Sequence, residues 1–365
     1  MLRVGIIGLP NVGKSTLFNA LLRGHVAEVA NYPFSTVERN VGIIAVPDER
    51  LELLARVYKT SVTVPSTIEF VDIAGLVRGA HRGEGLGNQF LAHIREMDAL
   101  VEVVRCFEAE SVAHVEGMLD PVRDMETVEM ELALADLATV ERRKEKAQRQ
   151  AKVGDKTVAF ELTVLERVEA ALNAGIPVRR LDLSEEERAL IRPLFLLTAK
   201  PKIYAVNVGE GDLGRETPCV ARVRERARMW EADVVVLCAQ LEAELADLTE
   251  EEAAEYLADL GVTSTGVREL IHAAYRHLGL ITFFTGNEKE VHAWAIRQGT
   301  RAPQAAGLIH SDMERGFIAA EVIPFKDLIA AGSVAKAREH GWIRLEGRDY
   351  VVQEGDVIYF RFHVS

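Results

Sequence analysis

The chain has 365 residues and a net charge of −13, from 43 Lys and Arg against 56 Asp and Glu, and 48% of it is hydrophobic. That length exceeds one ordinary core and asks for two or three domains. The acidic balance argues against a general polyanion binder, so any nucleic-acid contact must use a local basic patch. No apolar run approaches a membrane span, and Met1-Leu2-Arg3 leads into a core-like strand rather than a signal peptide. Cys106, Cys219 and Cys238 are scattered without metal-ligand spacing or an even disulfide framework, which fits a reducing cytoplasm.

Val4–Ile7 is a short apolar run of the kind that forms a buried strand, and it enters Gly8-Leu9-Pro10-Asn11-Val12-Gly13-Lys14-Ser15. A helical pattern with Leu17, Phe18 and Leu21 on one face follows. This is the phosphate-loop spacing in its strand–turn–helix context. The glycines allow close backbone approach, and the loop amides and helix N-terminus present a favourable dipole to an anion. Lys14 supplies a point charge for the β- and γ-phosphates, and the Ser15 hydroxyl is a ligand for Mg²⁺. These residues imply a bound nucleoside triphosphate.

Asn31-Tyr32-Pro33-Phe34-Ser35-Thr36 is turn-rich, and a threonine there either closes over the γ-phosphate and metal or merely caps a turn. A strand at Val41–Val46 and a helix opening near Pro47-Asp48, with Leu51, Leu54 and Val57 inward, come next. Thr67–Val71 reads as a strand ending in Asp72-Ile73-Ala74-Gly75. A carboxylate at a strand's C-terminal end sits where α/β sheets bind ligands, and Asp72 is placed to hold the metal through water. Gly75 can donate its amide to the γ-phosphate. Many guanosine triphosphatases carry a water-orienting glutamine at the next position; Leu76 stands there and cannot hydrogen-bond, so turnover should be slow or use another group. Val77–Gly87 is glycine-rich and charged and reads as a switch loop before a helix at Asn88–Met97.

Leu100–Val104 is another buried strand, and His114 follows as either a surface histidine or a catalytic one. Helical periodicity from Pro121 to Ala151, a break at Lys152–Asp155 and a restart at Val158–Leu172 predict an antiparallel helical hairpin inserted in the nucleotide domain. At its bend Arg142, Arg143, Lys144, Lys146, Arg149 and Lys152 are either a solvated helix face or a contact for RNA phosphates. Ile203–Val206 is a strand ending in Asn207-Val208-Gly209-Glu210, and Val234–Leu237 one ending in Cys238-Ala239-Gln240. Guanine-selective relatives carry Asn-Lys-x-Asp at the first of these ends. With Val208 for the lysine and Glu210 for the aspartate the guanine clamp is altered, which impairs guanine selectivity without itself proving a preference for adenine. Glu242–Leu260 is acidic and helical, and Gly261–Leu278 is a linking helix. Beyond it lies a small α+β domain with strands at Ile281–Thr285, Val291–Ile296, Gly316–Val322, Tyr350–Gln353 and Val357–Phe362, and helices near Gln304–His310 and Phe325–Ala331. His292, His310 and His340 read as structural or surface histidines.

GLPNVGKST (8–16), NYPFST (31–36), DIAGLVRGA (72–80), GEGLGNQF (83–90), NVGE (207–210) and APQAAGLIH (302–310) together resemble the YchF family of Obg-like ATPases, over essentially the whole chain. The resemblance implies an α/β fold: a G-type P-loop domain at 1–278, interrupted by a helical arm at about 120–200, and a C-terminal TGS domain of β-grasp type at 279–365. It also implies cytoplasmic ATP hydrolysis in preference to GTP, association with ribosomes, contact with the large subunit through arm and TGS domain, ribosomal RNA contact, and no membrane. Carried over by position, Asn11, Val12, Gly13, Lys14, Ser15 and Thr16 hold the triphosphate, and Asn207, Val208, Glu210, Cys238 and Ala239 the base. Ser15, Thr36 and Asp72 hold Mg²⁺, and Asn11 matches an asparagine that holds K⁺ against the phosphates. Lys14, Gly75 and His114 take the catalytic roles, and Leu76 matches the family's hydrophobic replacement of glutamine. The leading expectation is a slow nucleotide-dependent switch enzyme of translation or stress regulation. The alternative is a ribosome- or RNA-binding adaptor in which nucleotide is mainly structural. A small-metabolite kinase would need an acceptor site that no segment suggests.

Overall fold

The computed structural model describes residues 2–25, 40–73, 86–108, 119–150 and 156–363. Strand β1 (Arg3–Ile7) leads through the glycine-rich turn into helix α1 (Lys14–His25), which buries Leu17, Phe18 and Leu21. There follow β2 (Val41–Ala45), α2 (Arg50–Tyr58), the short β3 (Thr63–Val64), β4 (Thr67–Asp72), α3 (Leu86–Arg95) and β5 (Ala99–Cys106). Two long helices come next, α4 (Pro121–Gln150) and α5 (Lys156–Asn173), and then the short α6 (Glu185–Ile191). The chain returns through β6 (Lys202–Val208), α7 (Pro218–Met229) and β7 (Asp233–Leu237), and then runs helical through α8 (Ala239–Leu245), α9 (Glu250–Asp259) and α10 (Gly266–His277).

The first sheet has the order β2-β4-β1-β5-β6-β7, with β4, β1, β5, β6 and β7 paired in parallel. Every residue of β5 and of β6 is buried, as central strands covered on both faces require. Parallel pairing brings the C-terminal ends of β1, β4, β6 and β7 to one edge, the edge at which open α/β sheets bind ligands.

α4 and α5 form the predicted hairpin, packed through Val140, Val164, Leu165, Val168 and Leu172, with Val178, Leu183, Ile191 and Leu196 closing its base. Asp136, wholly buried, accepts the amides of Leu197 and Thr198 at 2.8 Å each and the Thr198 hydroxyl at 2.7 Å. Those bonds tie the base of the arm to the segment that re-enters the sheet. At the other end, Arg143 is ion-paired to Glu161 and Lys144 to Glu169, both acids coming from α5. Two of the six basic residues are thus paired across the hairpin, while Arg142, Lys146 and Arg149 are exposed, Arg149 with Glu145 at 3.3 Å; Lys152 lies outside the described residues.

The acidic segment is two helices rather than one. Thr249 and Glu252 form a reciprocal capping box that starts α9. From α8, buried Glu242 accepts the amide of Gly266, the first residue of α10, at 2.6 Å. Burial pushes the Glu242 carboxyl up to about 7, although the amides of Gly266 and Val267 oppose the shift. Between the ordinary carboxylate range and pH 7 the folded state therefore holds a proton that the unfolded chain has lost, and stability falls as pH rises. Glu242→Gln keeps an acceptor and removes this ionisation. Raising the pH from 5 to 8 should thus cost the wild type on the order of 2 kcal/mol more than the variant. Urea unfolding at the two pH values measures this, and parallel losses in both proteins would refute it.

The cysteine expectation needs correction. Cys106, at the end of β5, and Cys219, in the first turn of α7, are disulfide-bonded with their Cα atoms 5.9 Å apart, while Cys238 is free and buried. The pair is separated by 113 residues in sequence, so no local spacing announced it.

The C-terminal elements are β8 (Leu280–Gly286), β9 (Val291–Arg297), α11 (Ala302–Ile309), α12 (Ser311–Arg315), β10 (Phe317–Pro324), α13 (Phe325–Ala331), α14 (Val334–Glu339), β11 (Arg344–Glu346) and β12 (Asp356–Phe362). Their sheet has the order β11-β10-β12-β8-β9-β3. Alternation along the strands sends Phe283, Val322, Ile358 and Phe360 to one face, under Ala302, Ala305 and Ala306 of α11. Phe284, Ile323 and Val357 face the other way, toward Leu51 and Leu54 of α2 and Leu328 of α13. The expected strand at Tyr350–Gln353 is only an isolated bridge, Val351 to Arg301, and the edge strand is β11 instead.

The chain divides into two compact units. One takes the described residues up to Gly42 together with Glu69–Ala274; the other takes Ile43–Ile68 and everything from Tyr275 onward. A single cut at 278/279 therefore needs correction, because β3 pairs with β9 and α2 packs in the second core.

Candidate functional site

The site is built at the C-terminal edge of the first sheet. Gly8 packs where an added Cβ would lie 2.9 Å from the Val103 carbonyl oxygen of β5, so the turn lies directly on the neighbouring strand. Asn11, at the exposed crest, has a left-handed φ of 64°, which asparagine tolerates better than most residues. Val12 is buried and Gly13 has φ 96°; the Leu17 amide then donates to the Gly13 carbonyl at 3.0 Å and the helix is under way. Lys14, Ser15 and Thr16 occupy its first turn, with Ser15 and Thr16 exposed.

From β4, Asp72 reaches this turn. Its carboxylate accepts from Lys14 Nζ through Oδ1, and Ser15 Oγ lies 3.5 Å from Oδ2. Lysine, hydroxyl and carboxylate thus converge. A hydroxyl and a carboxylate are hard oxygen donors, the chemistry Mg²⁺ prefers alongside phosphate oxygens and water. Among the described residues no cluster of three or more His, Cys, Asp or Glu could hold a metal by itself. Ser15 Oγ and the Asp72 carboxylate are donors of the kind that fit a cation sharing its shell with a phosphate.

Asn207 joins the end of β6 to the loop and to the start of α8. Its Nδ2 donates to the Val12 carbonyl at 3.0 Å, and its Oδ1 accepts the Ala239 amide at 2.9 Å. Asn207 therefore straps the phosphate loop to the start of α8, a structural duty that its assignment to the base did not anticipate. Val208 turns its side chain into the core with Leu213, Val220 and Cys238, leaving backbone groups for a ligand. Cys238 is buried at the N-cap of α8, and burial pushes its thiol up. Glu210 opens a short turn after β6, and its Oε1 accepts the phenolic hydrogen of Tyr256 at 2.7 Å. Tyr256, on α9, is a site neighbour that sequence reading missed, since 46 residues separate it from Glu210. The capping-box spacing of Thr249 and Glu252 could have placed the helix, but nothing local pointed its tyrosine at Glu210.

Thr36, Gly75, Leu76 and His114, and with them the NYPFST segment and most of the expected switch loop, lie outside the described residues. His292, His310 and His340 are engaged locally, as structural or surface histidines would be. His292 stacks on Trp294 and burial pushes it down to about 4, His310 accepts the Asp312 amide through Nδ1, and His340 stacks on Trp342. No helix among the described residues is long and apolar enough to cross a membrane.

Comparison with known proteins bears on the whole chain. A family model described as 50S ribosome-binding GTPase matches residues 3–135, and a model for the C-terminal region of YchF GTPases, itself described as a protein of unknown function, matches residues 280–363. The Ribosome-binding ATPase YchF of Bacillus subtilis is 49% identical over 367 residues, covering 100% of both chains. Its namesake from Escherichia coli O157:H7 is 50% identical over 363 residues, covering 99% of each. The solved structure of the Schizosaccharomyces pombe YchF GTPase superimposes with a TM-score of 0.90 at 36% identity, covering 99% of this chain and 97% of that one. A GTP binding protein from Pyrococcus horikoshii shares the fold at a TM-score of 0.61 and 20% identity. Likeness of this extent, through the phosphate loop and the C-terminal sheet alike, places the chain in the YchF family.

Proposed function

We propose that this protein is a ribosome-associated ATPase: it hydrolyses ATP, and GTP less well, to diphosphate and phosphate, and its nucleotide state governs its hold on the ribosome. The observation that carries the reading is the convergence of Lys14, Ser15 and Asp72 at a phosphate loop that Asn207 straps to the base side. The loop amides and the N-terminus of α1 bind the polyphosphate, and Lys14 exchanges Asp72 for the β- and γ-phosphate oxygens. Ser15, Thr36 and, through water, Asp72 would hold Mg²⁺, which would neutralise charge on the phosphate oxygens. Asn11, at the exposed crest of the loop, would hold K⁺ against the phosphates.

The base rests against Val208, Cys238 and Ala239, with Glu210 in place of the guanine-reading aspartate and no lysine at 208. Gly75 donates its amide to the γ-phosphate, and with Leu76 unable to orient water, His114 takes that duty. The protein works in the cytoplasm. It engages the large ribosomal subunit through the arm and the C-terminal unit, and Arg142, Lys146 and Arg149 are the arm residues exposed for ribosomal RNA phosphates.

The test is co-sedimentation with purified ribosomes under a non-hydrolysable ATP analogue and under ADP, beside ATP turnover in K⁺ and in Na⁺. Retention that differs between nucleotides, with turnover falling in Na⁺ and vanishing in Lys14→Met, is the expected result. Equal retention in both states would favour an adaptor with structural nucleotide. Turnover indifferent to the monovalent ion would remove Asn11 from the mechanism.

A further inference from the structure

Glu210 has two carboxylate oxygens, and the protein itself already uses one. Tyr256 donates its phenolic hydrogen to Oε1 at 2.7 Å. The contact is built rather than incidental. The neighbouring residue Leu257 is buried in the cluster that also contains Val208, Leu213, Cys238 and Leu241, so α9 is seated on the floor of the base side. Tyr256 itself stays 40% exposed at the mouth of that floor. The hydrogen bond to Glu210, and then that carboxylate's charge, push the phenol up.

The two purines ask different things of a carboxylate here. Guanine offers adjacent donors, N1–H and the exocyclic N2–H₂, and is gripped best by a carboxylate whose two oxygens are both free. Adenine offers a single donor group, N6–H₂, beside an acceptor at N1, so one free oxygen meets all that its edge can give. We propose that Tyr256 is a specificity-determining residue of this site: its hydroxyl claims one lone pair of Glu210 Oε1 and fixes the carboxylate's orientation, leaving Oε2 the better acceptor and so weakening the paired hydrogen bonds that guanine needs. Selectivity against guanine then comes from a competing donor supplied by the protein, in addition to the longer side chain of Glu210 and the missing lysine at 208. The inference rests on the base-site reading proposed above.

The test is a double-mutant cycle on the full chain, with ATP, GTP, ADP and GDP titrated calorimetrically into wild type, Tyr256→Phe, Glu210→Gln and the double variant, Mg²⁺ present. Phenylalanine keeps the ring and removes only the donor. The expected result is a rise in guanine-nucleotide affinity relative to adenine nucleotides of roughly tenfold in Tyr256→Phe, seen with diphosphates and triphosphates alike. In the Glu210→Gln background the same substitution should leave the ratio unchanged. A merely structural tyrosine would shift all four nucleotides together, and that outcome, or an unchanged ratio, overturns the proposal. If Glu210→Gln itself leaves the purine preference untouched, the assignment of Glu210 to the base fails and the proposal falls with it. If Glu210→Gln moves the preference and Tyr256→Phe does not, the base site stands and the tyrosine's part alone is refuted.

Discussion

Gly13→Ala is expected to weaken ATP and GTP binding together by at least about 100-fold, which is about 2.7 kcal/mol. Two independent obstacles meet at this residue. Its φ of 96° lies where side-chain-bearing residues are strained, and a Cβ there would stand 2.2 Å from Asn207 Nδ2. Asn207 has nowhere to go, because its amide is 95% buried and held at both ends by the Val12 carbonyl and the Ala239 amide. Admitting the methyl group means breaking that strap, which releases the phosphate loop and the α8 start at once. The loss should therefore fall on purine and polyphosphate alike, unlike that of a base-specific variant. Gly211→Ala is the control: it lies in the turn begun by Glu210, and its added Cβ would meet nothing within 4 Å. Titration of a fluorescent ATP analogue decides the matter, and an affinity within threefold of wild type for Gly13→Ala would show that the loop can relax without its strap.

The same residues explain what could be read from the chain and what could not. The phosphate loop was legible because its chemistry is local: a strand, two glycines, a lysine and a hydroxyl in fixed spacing. Asp72 was legible because a carboxylate ending an apolar strand has few other uses. Asn207 was assigned to the base, yet its two hydrogen bonds go to backbone groups 195 residues before it and 32 after it, distances over which spacing carries no signal. The arm's basic cluster read as charge-rich because its neutralising acids, Glu161 and Glu169, stand on the other helix. The C-terminal unit was legible in its central strands, where apolar runs are covered on both faces. It was not legible at its edge, where β11 is exposed at Arg344 and Leu345 and its recruitment depends on pairing with β10 rather than on its own pattern. The membership of Ile43–Ile68 in that unit has the same origin, a two-residue strand whose partner lies more than 200 residues later.

Lys202→Met is expected to cost about 3–5 kcal/mol of folding stability, because it orphans the buried Glu102 and strips the buried Glu129 of one of its two partners. Lys202 is fully enclosed at the start of β6, with Nζ 2.6 Å from Glu102 Oε2 and 2.7 Å from Glu129 Oε2. Arg179 pairs with the other oxygen of Glu129 at 3.0 Å. Burial pushes Glu102 up to about 7 against the pull of Lys202. Burial also acts against Glu129, but the charges of Lys202 and Arg179 outweigh it and hold that carboxyl at about 2. Methionine fills comparable volume and supplies neither charge nor donor, so Glu102 keeps only protonation as an escape and Glu129 keeps only Arg179. The sign of the pH dependence follows. With its folded pKa raised further, Glu102 contributes stability at low pH that is lost as pH rises, so the deficit of Lys202→Met should shrink on acidification toward pH 6. Adding Glu102→Gln should recover part of the loss at pH 8 and almost none at pH 6. The consequence reaches the site because Glu129 belongs to α4 and Lys202 begins the strand that ends in Asn207 and Val208. One buried ion cluster thus fastens the arm to the strand that carries the base-side residues, and loosening it should weaken nucleotide binding as well as folding. Urea unfolding across pH 6–8, read beside ATP affinity, measures both effects; a loss below 1 kcal/mol at pH 8 would mean that water or a repacked Arg179 takes over the role of Lys202.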